Sequence, residues 1–159
     1  LRKNHYYKTK EWQYKNIEPR IIIEKLILNE KGKLADDYKF HCFHGKPKVV
    51  YVSIDREGRN KRNIYSDSWE PLHFTWAPEK TDVSNIRGPE IKKPKNYSKM
   101  LRIAETLSKD FKYVRIDLYN TGGRIYCGEI TFHHGSGLNK IVPEKWDERL
   151  GNYLDLNID

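Results

Sequence analysis

Apolar and polar positions alternate most cleanly between Phe111 and Gly137, in the stretch FKYVRIDLYNTGGRIYCGEITFHHGSG. Two runs of β-branched and aromatic residues, Tyr113 to Tyr119 and Arg124 to Phe132, flank the Gly122–Gly123 pair and predict a β-hairpin. In the first strand Val114, Ile116 and Leu118 share one face, while Tyr113, Arg115, Asp117 and Tyr119 share the other. In the second, Glu129 interrupts an apolar run, where a charge is costly unless something pairs with it. A three-residue loop of Gly122, Gly123 and Arg124 sets Asp117 directly opposite Glu129, whereas a two-residue turn shifts the register by one and sends Glu129 to the other side. Facing carboxylates repel unless a proton or cation lies between them, and oxygen ligands at this spacing suit Mg²⁺. Arg115, on the same face, is placed to hold a phosphate that such an ion would bridge. The plainer alternative is a half-buried hairpin in which Arg115 and Glu129 form a structural ion pair.

Elsewhere the helical period is clearest from Asn96 to Lys109, where Met100, Leu101, Ala104 and Leu107 form a stripe, Ile103 widens it, and Asn96 or Ser98 can cap the start. A last helix is expected from near Pro143 to about Leu154. Arg20 to Leu28, RIIIEKLIL, reads as a buried strand interrupted by Glu24 and Lys25, which marks where the chain leaves a sheet or lines a cleft. A polar loop around Gly32 follows. Asp37 to Phe43 and Pro47 to Ile54 form a second hairpin turning at His44 to Lys46. Asp55 to Asn63 reads as a charged loop, and Ile64 to Pro94 as mostly coil with a short strand near Leu72 to Trp76. Leu1 to Pro19 reads as irregular with one short helical turn. Together these elements predict an α+β fold with an antiparallel sheet and packed helices.

The 159 residues suit one domain or part of a larger one. Thirty Lys and Arg against 22 Asp and Glu give a net charge of +8, which suits an anionic partner such as a nucleotide, nucleic acid or acidic polymer. The positives are scattered, and their densest group, Lys92, Lys93, Lys95 and Lys99, reads as a solvated loop, which weighs against nucleic acid. Cys42 and Cys127 show neither metal spacing nor a disulfide framework, so a reducing, cytoplasmic compartment is expected. No apolar run approaches the roughly 18 residues that membrane insertion needs. The adjacent His133 and His134 would face opposite ways in a strand, so His133 to Gly137 reads as a loop able to approach an anion rather than a zinc site.

Three pieces in order, EWQYKNIEPRIIIEKLI, DYKFHCFHGKPKVVYVSIDR, and KPKNYSKMLRIAETLSKDFKYVRIDLYNTGGRIYCGEITFHHGSG followed by PEKWDERLG, resemble the TupA-like, teichuronopeptide-biosynthesis branch of the ATP-grasp superfamily. The resemblance runs from about Glu11 to Gly151 and implies an ATP-grasp-like carboxyl-terminal lobe. Residues 1–159 would form a single such domain, with no counterpart of the family's amino-terminal lobe before Glu11. It implies enzymes that use ATP and Mg²⁺ to activate a carboxylate as an acylphosphate, which an amine then attacks, in cell-surface polymer assembly. It also implies residue roles: Glu24, Lys25 and Leu26 at the hinge that reads adenine, Asp37 on the ribose hydroxyls with Glu30 as the fallback, Arg115 on phosphate, and Asp117 and Glu129 on Mg²⁺. Thr131 stands where many members place an asparagine ligand. Two other readings remain: a glycosyltransferase using a sugar nucleotide and a metal-holding carboxylate pair, and a basic module that binds polyanions.

Overall fold

In the computed structural model, which describes residues 4–78, 80, 81 and 86–157, both expected hairpins enter one sheet. In chain order, a short helix α1 (Tyr6–Thr9) and a 3₁₀ turn (Trp12–Tyr14) precede strands β1 (Asp37–Phe43), β2 (Lys46–Ile54), β3 (Lys61–Ser66) and β4 (Thr75–Pro78). Helix α2 (Tyr97–Ser108) follows, then β5 (Tyr113–Thr121), β6 (Arg124–Thr131), β7 (Asn139–Val142) and helix α3 (Lys145–Gly151). The main sheet has the order β3-β2-β1-β5-β6 with every neighbour antiparallel, and β4 pairs with β7 in a second, two-stranded sheet. The fold is α+β, as the alternation and the single strong helical period implied.

Alternation along the strands gives the main sheet two unlike faces. Tyr38, Phe40 and Cys42 of β1, Val50 and Val52 of β2, and Val114, Ile116 and Leu118 of β5 pack under α2 through Tyr97, Met100 and Ala104. Trp69 seals one end of this core, stacking on Tyr65 with ring centroids 4.4 Å apart and meeting Tyr97 edge-on. Asn96 occupies the N-cap position of α2, but its side chain makes no cap hydrogen bond. Its amide instead exchanges two hydrogen bonds with Asn120 of β5, at 2.7 and 3.0 Å, which pins the helix start to the hairpin. On the opposite face Val49, Tyr51, Ile64, Phe74 and Leu150 form a smaller cluster under β4, β7 and α3. Phe43 and Tyr113 extend this cluster toward Tyr153, and the remainder of the face carries the charged residues.

Several elements differ from expectation. Arg20 to Leu28 forms no strand, and Ile21, Ile22, Ile23 and Leu26 are 68%, 80%, 92% and 68% exposed. Only Leu28 bridges to Leu34 around Gly32. β3 begins inside the presumed charged loop, because Asn63 and Tyr65 are buried among partners far along the chain: Asn63 Nδ2 donates to the Pro89 carbonyl at 2.7 Å. The short strand expected near Leu72 to Trp76 lies later, at β4, and β7 carried no recognisable signal. The last helix is shorter than expected, ending at Gly151. Among the described residues no helix is long and apolar enough to cross a membrane.

Phe40 is fully buried and stacked on Tyr97. Phe40→Ala is expected to cost about 3–5 kcal/mol, read as a lower urea midpoint at unchanged slope, while Leu138→Ala, at an exposed site, should shift it by less than about 0.5 kcal/mol.

Candidate functional site

The polar face of the main sheet is ordered as rows, because strand register places partners side by side. One row runs Arg62, Ser53, Asp37 and Tyr119; the next runs Tyr51, Lys39, Asp117 and Glu129; a third holds His41, Arg115 and Thr131. Asp117 is the centre of the middle row. Arg115 Nε donates to its Oδ1 at 2.7 Å and Arg115 Nη2 to its Oδ2 at 2.8 Å. Lys39 Nζ donates to Asp117 Oδ2 and to Asp37 Oδ2, both at 2.6 Å. Arg115 Nη2 also reaches Glu129 Oε2 at 3.3 Å, and the Thr131 hydroxyl donates to Glu129 Oε1 at 2.7 Å. Asp117 is buried, whereas the Glu129 side chain is 54% exposed. Burial pushes the Asp37 carboxyl up against the opposing pull of Lys39, and its Oδ1 is buried with no hydrogen-bond partner.

The pairing of Asp117 with Glu129 is reached by a route the sequence did not announce. The turn is the two-residue Gly122–Gly123 form, both at positive φ, with Thr121 opposite Arg124. That register alone would carry Glu129 to the apolar face. A bulge corrects it: Leu118 pairs with Cys127, Asp117 pairs with Glu129, and Gly128 is the extra residue between. A Cβ at position 128 would lie 2.6 Å from Cε2 of Tyr119, so glycine is what lets the bulge close against that ring.

Sequence reasoning gave His134 only a loop role, yet it belongs to the site. Its Nδ1 accepts from Arg115 Nη1 at 2.7 Å, and since arginine can only donate, the ring proton sits on Nε2. Burial and then the nearby guanidinium push its pKa down to about 4. It stands edge-on to His41 and Trp76, which stack on each other at 4.3 Å. His41 is fully buried and held neutral chiefly by burial. The missed signal was tertiary: β7 and β4 fold the HHGSG loop back over the sheet. Trp76, His134, Gly135 and Asn139 wall one side of a cleft of about 380 Å³ floored by Asp37, Lys39, Tyr51 and Ser53 and flanked by Arg56 and Arg62.

The structure does not bring every expected residue here. Glu24, Lys25 and Leu26 lie in the exposed segment outside the sheet. Glu30 lines a separate depression beside Lys95, Asn120 and the Gly122–Gly123 turn, so Asp37, not Glu30, shares the cleft with Lys39. The amino-terminal stretch does approach the row of charges: Glu11 accepts from the Ser136 hydroxyl at 2.7 Å, and Glu129 adds to the burial and the Glu11 charge that raise the Tyr14 hydroxyl.

A family model, TupA-like ATPgrasp, matches residues 1–155. The chain belongs to that family. No curated protein and no solved structure matches it. Membership supports an ATP-dependent, ligase-like activity in broad terms, and ATP-grasp proteins in general bind ATP and Mg²⁺.

The donors of this ATP-grasp chain fit Mg²⁺ in kind, while both oxygens of the buried Asp117 are met by Arg115 and Lys39. Two carboxylates on paired strands and a hydroxyl make an all-oxygen set, and Glu129 is open to solvent. Among the described residues no three His, Cys, Asp or Glu side chains group into a self-sufficient metal site. A nucleotide-bound Mg²⁺ needs only one or two protein carboxylates, since phosphate oxygens and water complete its shell. In the present arrangement Arg115 and Lys39 supply the positive charge that Asp117 requires.

Two outcomes follow from this geometry. Gly128→Ala should destabilise the protein by roughly 1–3 kcal/mol in the presence of Tyr119 and by much less in a Tyr119→Ala background, a coupling that urea unfolding of the four variants measures. His134 remains neutral in the folded state down to about pH 4, while an unfolded histidine takes its proton near 6.5. The unfolded chain therefore binds more protons between those values, and stability falls as pH drops through that window. His134→Gln should flatten the loss of melting temperature between pH 6.5 and 4, leaving the share due to His41.

Proposed function

We propose that the chain takes part in ATP-dependent activation of a carboxylate as an acylphosphate and its ligation to an amine, in the cytoplasmic assembly of a bacterial cell-surface polysaccharide or peptide polymer. The observation that carries this reading is the convergence of Asp117 and Glu129 on one sheet face with a single guanidinium, Arg115, bonded to both.

In this reading Arg115 is the group that meets the transferring phosphoryl oxygens. Its charge is fixed in direction by two hydrogen bonds to Asp117 and by His134 behind it, so little reorganisation is needed as negative charge shifts between oxygens. His134, neutral and accepting, orients Arg115 without adding a competing positive charge. Lys39 bridges two carboxylates and supplies the second positive charge of the row. Mg²⁺ held by Asp117, Glu129 and Thr131 would neutralise phosphate charge there. Asp37 Oδ1, buried without a partner, offers the acceptor that a ribose hydroxyl would fill, and Glu24, Lys25 and Leu26 would read the adenine edge. Among the described residues Gln13 Oε1 and His41 Nε2 are also buried without a partner, but Asp37 Oδ1 is the one of the three that belongs to the cleft lining.

Glu129→Gln separates function from folding, because that side chain is half-exposed. In the full chain, Mg²⁺ATP should raise the melting temperature, and Glu129→Gln should weaken Mg²⁺ATP at least tenfold by calorimetry with an unchanged melting temperature in its absence. Asp117→Asn, in contrast, leaves the buried Arg115 without its main counter-charge and Lys39 with Asp37 alone, and should cost about 3–5 kcal/mol of stability. Protection by UDP- or GDP-sugars with none by ATP would favour the glycosyltransferase reading instead.

A further inference from the structure

His134 stands between two open spaces. With Trp76 it lines the cleft of about 380 Å³ on one side and, on the other, an apolar cavity of about 290 Å³ walled by Phe43, Tyr113, Phe132 and Leu150. The cavity leaves the ring room to swing away from Arg115. The backbone that carries it is permissive too, since Gly135, Ser136 and Gly137 all have positive φ, at 57°, 54° and 72°. Glycine adopts that conformation freely and serine does not. Ser136 supplies what a third glycine would lack, a hydroxyl, and that hydroxyl donates to Glu11 Oε1 at 2.7 Å. Glu11 lies 125 positions away and is only 8% exposed. Its other oxygen accepts from Gln13 Nε2 at 3.0 Å, and His5 Nε2 is 3.8 Å from Oε1. A carboxylate taken out of water needs each of its hydrogen bonds, which makes this contact a firm tether for the turn. Asn139 holds the other side: its side-chain amide lies 3.4 Å from His134 Nε2, and a Cβ on Gly135 would run into it.

The consequence falls on Arg115. Of the five N–H donors of a guanidinium, those on Nε and Nη2 face Asp117 and Glu129 and one on Nη1 faces His134, which leaves a single Nη1 N–H for an incoming oxygen. Where His134 sits decides where that N–H points. We propose that Glu11 and Ser136 are positioning residues: their contact latches the amino-terminal stretch onto the 133–137 turn and so keeps His134 against Arg115 while the phosphoryl group is transferred. This rests on the phosphoryl role given to Arg115 above and adds to it two residues that touch neither nucleotide nor metal.

The test uses the full chain and two readouts: calorimetry of Mg²⁺ADP with and without aluminium fluoride, a mimic of the transferring phosphoryl group, and the protonation midpoint of the His134 ring by NMR. Ser136→Gly removes the hydroxyl and at the same time relieves the backbone, so the melting temperature should change little. It should nonetheless cut at least tenfold the affinity that aluminium fluoride adds to Mg²⁺ADP, while Mg²⁺ADP alone changes less than threefold. The His134 midpoint should rise from about 4 to about 5 or above as the ring leaves its buried place beside Arg115. Glu11→Ala should act in the same direction. Glu11→Gln keeps an acceptor of equal length, and Gln13 can turn its amide, whose Oε1 has no partner, to meet the new N–H, so this variant should retain most of both signals. An unchanged midpoint or an unchanged fluoride effect in Ser136→Gly overturns the proposal. So does a Ser136→Gly chain that unfolds, or that loses Mg²⁺ADP equally with and without fluoride, since the contact would then be structural only. If the wild-type chain binds neither Mg²⁺ADP nor Mg²⁺ATP, the carboxylate-activating reading falls instead, and the His134 midpoint still decides whether the latch places the ring.

Discussion

Burying Asp117 in the middle of a sheet is the constraint that organises the polar face. A carboxylate removed from water is tolerated only if its charge and lone pairs are met, and here Arg115 and Lys39 meet them from the same strand and from the neighbouring one. Each of those cations is itself shared, Arg115 with Glu129 and His134, Lys39 with Asp37. The result is a continuous chain of charge from Asp37 to Glu129 across three strands. The apolar face makes this possible: α2 packs under the same strands through Met100 and Ala104, so the backbone carrying the charges is clamped from behind.

The hairpin, its two faces, the main helix and the first hairpin were legible because each is a local pattern with a definite period. The pairing of Asp117 with Glu129 was legible too, but for a reason that proved incomplete. Counting across a longer loop and counting across a tight turn with one bulge give the same pair, and alternation cannot tell them apart. Gly128 was the only trace of the bulge in the sequence, and a glycine within a strand has several explanations. β3, β7 and the role of His134 were not legible, since each depends on partners remote in the chain: Asn63 on Pro89, β7 on β4, His134 on Arg115.

The stretch from Arg20 to Leu28 failed in an instructive way. Its β-branched, apolar residues express a demand for burial, and the reading as a core strand assumed that this sheet would meet it. The sheet does not, and Ile21, Ile22 and Ile23 remain largely exposed while the end of the segment is tied down, the Ala35 N–H donating to the Ile27 carbonyl at 3.1 Å and the Thr121 hydroxyl to the Leu28 carbonyl at 3.0 Å. Composition predicts how much apolar surface a segment carries, not which surface will cover it.

The same distinction applies to charge. A net charge of +8 spread along the chain said little, and the informative quantity is the local imbalance once paired groups are set aside. Across the middle and third rows, Lys39 and Arg115 offset Asp117 and Glu129. Around the cleft the balance is looser: Arg62 packs on the Tyr51 ring, while Arg56 lies over the Tyr119 ring, bonds the Ala35 carbonyl and is felt electrostatically by the Asp36 and Asp37 carboxylates without a close ion pair. A folded chain can hold such guanidiniums at little cost while water reaches them, and both are partly exposed. Water screens their charge while it reaches them, so their pull on neighbouring carboxylates is weaker than that of the largely buried Lys39 and Arg115 on Asp117.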